Sequence, residues 1–187
     1  MKVGLYFGSF NPIHIGHLII ASFMENSTDL DQVWFVVSPQ NPLKPSAVLL
    51  NEYHRLHLVR AAVEDNDRLK VSDIEFHLPK PSYTIDTLAY LHERHPQHEF
   101  SIILGSDGYQ NLCRWKNGDL LAERYKMYVY RRKGFDVSPT PNATIVDAPL
   151  LDISSTLIRQ WIKEGKSIRY LVPDAVRREI EINRYYK

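Results

Sequence analysis

Apolar residues along this chain fall into short, almost continuous runs set between longer stretches with helical spacing. The runs Val3-Gly4-Leu5-Tyr6-Phe7, Gln32-Val33-Trp34-Phe35-Val36-Val37, Glu99-Phe100-Ser101-Ile102-Ile103-Leu104 and Lys126-Met127-Tyr128-Val129-Tyr130 are too apolar for half-exposed strands. They predict strands in a sheet covered on both faces, with Trp34 in the core. Leu69-Lys70-Val71-Ser72-Asp73-Ile74-Glu75-Phe76 alternates instead, as a strand at or near an edge does, and Ala143-Thr144-Ile145-Val146 is a short sixth strand. Helices are expected over about 15–26, from an Asn51 N-cap to about residue 65, and from Ile85 to about His95, where Pro96 stops the helix. The second of these carries Leu56, Val59, Arg60 and Val63 at the spacing of a packed face. A short helix around 119–123 follows, then one opened by Ser154 or Ser155 with Leu157, Ile158, Trp161 and Ile162 on its apolar side, and a last one from Val172-Pro173 with Val176 and Ile180 packed. Strands and helices alternate at crossover lengths. That order predicts an α/β fold, a doubly wound and mostly parallel sheet in one domain over 1–187, whose helical part at 154–187 packs beside the sheet.

Composition narrows the function. Lys and Arg number 23 against 22 Asp and Glu in 187 residues, so no global field draws the chain to nucleic acid or to a membrane. Any anion site must be local. The single cysteine, Cys113, has no internal disulfide partner, the first residues lack a signal-like pattern, and no apolar run reaches membrane length, so a cytoplasmic location is expected. Neither a nucleophile with a base partner nor a dense carboxylate cluster stands out, so no dedicated metal site is expected. His92, His95 and His98 fall across a helix end and a loop and are read as surface residues, and His54 and His57 as structural or solvent-facing ones.

Candidate chemistry gathers where strands hand over to helices. The stretch Gly8-Ser9-Phe10-Asn11-Pro12-Ile13-His14-Ile15-Gly16-His17 follows the first strand and opens the first helix. Gly8 either leaves the strand with positive φ or lets a ligand approach the backbone, Pro12 stiffens the loop, and the free N–H groups of the helix start favour a phosphate. His14 and His17, three residues apart, project from nearly one face if the first turn includes both, with Gly16 leaving room between them. Gly105-Ser106-Asp107-Gly108 is read as a second tight turn at the same sheet edge, in which Asp107 is either a helix N-cap or a group facing a ligand. Ser82 or Thr84 is a cap or part of a pocket, and Trp115 is core or a cover for something bound. At Asp152 to Arg159, hydroxyls, free N–H groups and an arginine converge on one helix start, an anion site in its own right. The proline-rich stretch from Ser38 to Pro45 leaves the carboxyl end of the second strand and carries Lys44.

The string around His14 resembles the nucleotidyltransferase signature G-[ST]-F-x-P-x-H-x-G-H, and the string ending at Arg159 resembles I-S-[ST]-T-x-[IL]-R of the same superfamily. With the lysine loop, Ser82-Tyr83-Thr84, Gly105-x-Asp107 and Trp115 in the same order, the chain resembles the nicotinate mononucleotide adenylyltransferases over nearly its whole length. The resemblance implies a Rossmann-like nucleotidyltransferase fold with strand order 3-2-1-4-5. It implies in-line transfer of AMP from ATP to nicotinate mononucleotide without a covalent intermediate, giving deamido-NAD and pyrophosphate, with Mg²⁺ carried by ATP. His14, His17 and Lys44 are then the catalytic groups. Gly8, Ser9, Phe10, His14, Gly16, His17, Gly105, Asp107, Ser154, Ser155, Thr156 and Arg159 surround ATP. Lys44, Ser82, Tyr83, Thr84 and Trp115 surround the mononucleotide, its pyridine against the indole. The chain departs from the pattern at Leu43, where histidine is frequent, and at Lys116, where an aromatic is.

Two rivals stand beside this reading. Pantetheine-phosphate adenylyltransferase shares the phosphate chemistry, but it usually carries threonine at the first histidine and lacks the Ser-Tyr-Thr and tryptophan landmarks. A non-catalytic ATP sensor on the same fold would bind ATP without releasing pyrophosphate. The oligomeric state is open, a homo-oligomer included.

Overall fold

The computed structural model describes residues 1–40, 49–149 and 151–187. Strands β1 (Lys2–Gly8), β2 (Gln32–Val37), β3 (Leu69–Ser72), β4 (Glu99–Gly105), β5 (Met127–Tyr130) and β6 (Ala143–Val146) lie in one sheet of order β3-β2-β1-β4-β5-β6. Every pairing is parallel. The expected order is thus extended by β6, and the sheet is parallel throughout rather than mostly so. Connections run outward in both directions from the β1–β4 pair, so the crevice for a ligand lies at the carboxyl ends of those two strands.

Helices α1 (Ile15–Ser27), α2 (Glu52–Val63), α3 (Thr84–Arg94), α4 (Ser106–Gln110), α5 (Gly118–Arg124), α6 (Ser155–Lys163) and α7 (Asp174–Asn183) cover the sheet. One core cluster joins Tyr6, Phe35 and Ile103 of the sheet to Leu56 and Val59 of α2, Ile158 of α6 and Val176 and Ile180 of α7; the other joins Leu5, Ile102, Leu104 and Val129 to Leu88, Leu91 and Leu121. Both faces of the sheet are therefore buried, which is why its strands read as continuous apolar runs. Asn51 caps α2 by accepting from Tyr53 N at 2.9 Å, and Ser154 caps α6 by accepting from Leu157 N at 3.2 Å.

Local departures from the sequence expectation each have a physical cause. β3 stops at Ser72, and Ile74–His77 is a 3₁₀ turn that carries Glu75 into the interior. On α2 the packed face holds Arg55 and Leu58 with Leu56 and Val59, whereas Arg60 is exposed and reaches Asp73 at 3.7 Å. Trp34 is half-buried, its outer faces met edge-on by His95, His98 and Phe100. Gly105 to Gly108 form no tight turn, because β4 runs straight into α4 with Gly105 at the N-cap position. Helix α3 is capped by neither Ser82 nor Thr84; Tyr83 holds the N-cap position without a side-chain bond. His54 donates to or accepts from Tyr185 Oη at 2.9 Å, and His57 lies 3.1 Å from Glu179, which gives both a structural place.

Candidate active site

The turn out of β1 is shaped by an aromatic ring. Phe10, not Gly8, takes the left-handed backbone, with φ 45°. Its ring folds back so that a Cβ on Gly8 would lie 2.8 Å from it, which is the reason a glycine stands there. Buried Phe10 then meets Tyr6, Phe35 and His17 edge-on, at 5.8, 5.4 and 5.1 Å between centroids. The ring of His17 is thereby fixed from behind.

His14 is the N-cap of α1, and its backbone N–H donates to His17 Nδ1 at 3.3 Å. The two imidazoles stack at 3.7 Å. Gly16 lies beneath this pair rather than in the cleft; a Cβ on it would come within 3.1 Å of the His14 ring. His14 is only 5% exposed, with its Nδ1 turned toward Gly16 and the first turn of α1, and the buried Ser9 Oγ beside the same loop has no hydrogen-bond partner. A buried polar atom left unpaired in a cleft is an invitation to a ligand with matching groups. Burial, with a contribution from the Arg132 guanidinium, lowers the His14 pKa from 6.5 to about 4. The imidazole is therefore neutral at pH 7 with one N–H to offer, and a phosphate beside it would favour its protonated form.

Helix α6 docks its first turn on this loop. Ser155 Oγ donates to Pro12 O at 2.8 Å, while Arg159 donates to Asn11 O at 2.7 Å and to Thr156 Oγ1 at 3.2 Å. The N-terminal N–H groups of α6 and of α1 thus open on one space. Arg55, fully buried, supports it from below by donating to four carbonyls: Ser9 at 2.5, Ser38 and Leu50 at 2.8, and Pro39 at 2.9 Å. One planar guanidinium joins the loops after β1 and β2.

At the other end, Glu75 is 2% exposed and accepts from Ser82 Oγ at 2.7 Å and Thr87 Oγ1 at 3.0 Å. Burial raises its pKa, and the hydroxyls of Ser82, Ser38 and Thr87 oppose that rise. Tyr83 and Trp115 stand half-buried above it. Between the two ends, Asp107 faces Arg132 at 3.4 Å, and Arg132 reaches Tyr130 Oη at 3.4 Å. A Cβ on Gly105 would come within 2.4 Å of the Asp107 carboxylate.

These groups line one cleft of about 820 Å³. Gly8, Ser9, Phe10, His14, His17, Ser82, Tyr83, Thr84, Gly105, Asp107, Trp115, Ser154, Ser155, Thr156 and Arg159 all border it, so the residues singled out from the sequence meet in space. Lys44 and Leu43 lie outside the described residues. Sequence reasoning missed Arg55, Glu75 and Arg132. Arg132 had a signal in the basic cluster Arg131-Arg132-Lys133, whereas nothing in the pattern marks Arg55 among the arginines of its helix.

Comparison with known proteins identifies the family and the fold. The cytidylyltransferase-like family model matches residues 5–161. The probable nicotinate-nucleotide adenylyltransferases of Cytophaga hutchinsonii and Flavobacterium johnsoniae are 50% and 48% identical to this chain, covering all of it and 98% and 100% of their own lengths. Among solved structures, Plasmodium falciparum nicotinic acid mononucleotide adenylyltransferase complexed with NaAD superposes with a TM-score of 0.84 at 21% identity, over 99% of this chain and 97% of that one. At that identity the likeness is one of fold.

Proposed function

The chain belongs to the nicotinate-nucleotide adenylyltransferases of the cytidylyltransferase-like family, and we infer that its cleft moves AMP from ATP to nicotinate mononucleotide, releasing pyrophosphate and leaving deamido-NAD. The observation that carries this reading is the pairing of two helix starts, α1 with the stacked histidines and α6 with Ser155, Thr156 and Arg159, at one end of a cleft whose other end holds Tyr83 and Trp115. The phosphate end takes ATP and the ring end takes the acceptor.

In the reaction, an oxygen of the acceptor 5′-phosphate attacks the α-phosphorus of ATP as the bond to the pyrophosphate oxygen opposite breaks. The nucleophile is already an anion, so no side chain has to take a proton from it. His14 and His17 donate to the reacting phosphoryl oxygens, and Ser154, Ser155, Thr156 and Arg159 hold the β and γ phosphates with the α6 N–H groups. Gly8, Ser9, Phe10, Gly105 and Asp107 border the nucleoside part, Ser82, Tyr83, Thr84 and Trp115 border the pyridine, and Lys44 steers phosphate charge. No group of three or more His, Cys, Asp or Glu side chains among the described residues is placed to hold a metal ion. Mg²⁺ would come with the triphosphate and neutralise part of its charge.

Residues 1–187 act as one domain in this reading, because α6 completes the phosphate end built by α1. Among the described residues no helix is long and apolar enough to cross a membrane, and we place the activity in the cytoplasm. Pyrophosphate release with ATP, Mg²⁺ and a panel of nicotinate mononucleotide, nicotinamide mononucleotide and phosphopantetheine tests the assignment. Turnover is expected with the first. Turnover with phosphopantetheine alone, or ATP binding without turnover on any acceptor, would overturn it in favour of one or the other rival.

A further inference from the structure

Lys116 follows Trp115 at the ring end of the cleft, and its surroundings are specific. Its ammonium lies 4.9 Å from the centroid of the Tyr83 ring and donates to both carboxylate oxygens of Asp86, at 2.8 and 3.1 Å. Lys116, Tyr83 and Trp115 border the ring end of the cleft, and Lys116, Tyr83 and Asp86 also border a second hollow of about 280 Å³. We propose that Lys116 is a specificity-determining residue that favours an acceptor whose aromatic ring carries a carboxylate over one whose ring carries a neutral carboxamide. The proposal rests on the adenylyl-transfer reading of the cleft.

Both acceptors bring the same phosphate, so the cations at the phosphate end act on them equally and cannot tell them apart. Discrimination needs charge near the ring. The buried Glu75 side chain under that end is taken up by Ser82 and Thr87 and offers an anionic ring no positive partner. Lys116 supplies the opposing charge. Its side chain and that of Asp86 are 45% and 47% exposed, so their ion pair is closed in water and worth little. A substrate carboxylate can therefore share or replace Asp86 at small cost, while the face of Tyr83 keeps the ammonium over the ring end.

The experiment compares kcat/KM for nicotinate and nicotinamide mononucleotides, by pyrophosphate release, in the unaltered protein, Lys116→Met, Lys116→Arg and Asp86→Asn, with melting temperatures recorded for each. Lys116→Met is expected to lower the value for the nicotinate form about 5-fold, the scale of a half-exposed ion pair, with the nicotinamide form unchanged. Lys116→Arg should retain the preference. Asp86→Asn should move the ratio the opposite way, because it leaves the ammonium without its competitor. Raised salt should narrow the preference of the unaltered protein and leave that of Lys116→Met flat. An unchanged ratio in Lys116→Met, or an equal loss with both acceptors, would overturn the proposal while leaving the adenylyl-transfer reading intact. Absence of turnover by the unaltered protein with either acceptor would overturn that reading and this proposal together.

Discussion

The two ends of the cleft are held in different ways. At the phosphate end, side chains are anchored on backbone carbonyls: Arg159 on Asn11, Ser155 on Pro12, and Arg55 on four more. At the ring end, side chains hold one another, Ser82 and Thr87 on Glu75 and Lys116 on Asp86. Main-chain anchorage fixes geometry regardless of small changes in the neighbouring side chains, and the end that must align an in-line displacement has it. Side-chain anchorage can be retuned one substitution at a time, and the end proposed to choose the acceptor has that.

If this contrast holds, substitutions at the phosphate end should cost rate or fold, and those at the ring end should cost acceptor affinity. The largest effect is expected for His14→Ala or His17→Ala, a loss of turnover of about 10²–10³-fold with substrate KM values little moved, read from steady-state kinetics. Purely KM effects would contradict a role in the transition state. Next, Arg55→Met leaves the buried carbonyls of Ser38 and Pro39 and the part-buried ones of Ser9 and Leu50 without their donor, and urea unfolding should show a loss of about 2–4 kcal/mol. A loss below about 1 kcal/mol would mean that the loops hold themselves.

A pH series sharpens the comparison on a comparable scale. The folded pKa of His14 is depressed to about 4, below the 6.5 of the unfolded chain, so below about pH 6.5 the unfolded state takes up a proton that the folded state refuses. Stability should fall as pH drops from about 6.5 to about 4 and level off beneath, by about 3 kcal/mol in all from this one group. His14→Gln should flatten that slope; an unchanged slope would place the titration elsewhere. The smallest effect is expected at the ring end, where Glu75→Gln keeps the shape but weakens the acceptor for Ser82 and Thr87. The KM for the mononucleotide should rise by about 3- to 10-fold with that for ATP unchanged, since one hydrogen bond to a charged group is weakened.

Legibility from sequence follows the same division. Strand β2, the capping residues Asn51 and Ser154 and the apolar face of α6 were readable because each is encoded by local spacing or a local side chain. The residues at the starts of α1 and α6 meet in one cleft, and they stand out in the sequence because they cluster in two short strings. The local alternation makes Glu75 one step of a strand, whereas its partners come from residues 82 and 87, beyond any period along that strand. Arg55 was invisible because its partners are backbone atoms of other loops, and a carbonyl has no letter in the sequence. The role of Phe10 in replacing Gly8 as the left-handed residue was likewise hidden, because it depends on where a ring packs.

The bonds from Ser155 to Pro12 and from Arg159 to Asn11 span 143 and 148 positions of the chain. In the order of synthesis, therefore, the histidines emerge first and remain without half of their phosphate cradle until α6 has been made and docked. A nascent chain that has completed all six strands still lacks both bonds, and on the proposed reading its triphosphate site is completed only when the nine-residue α6 has docked.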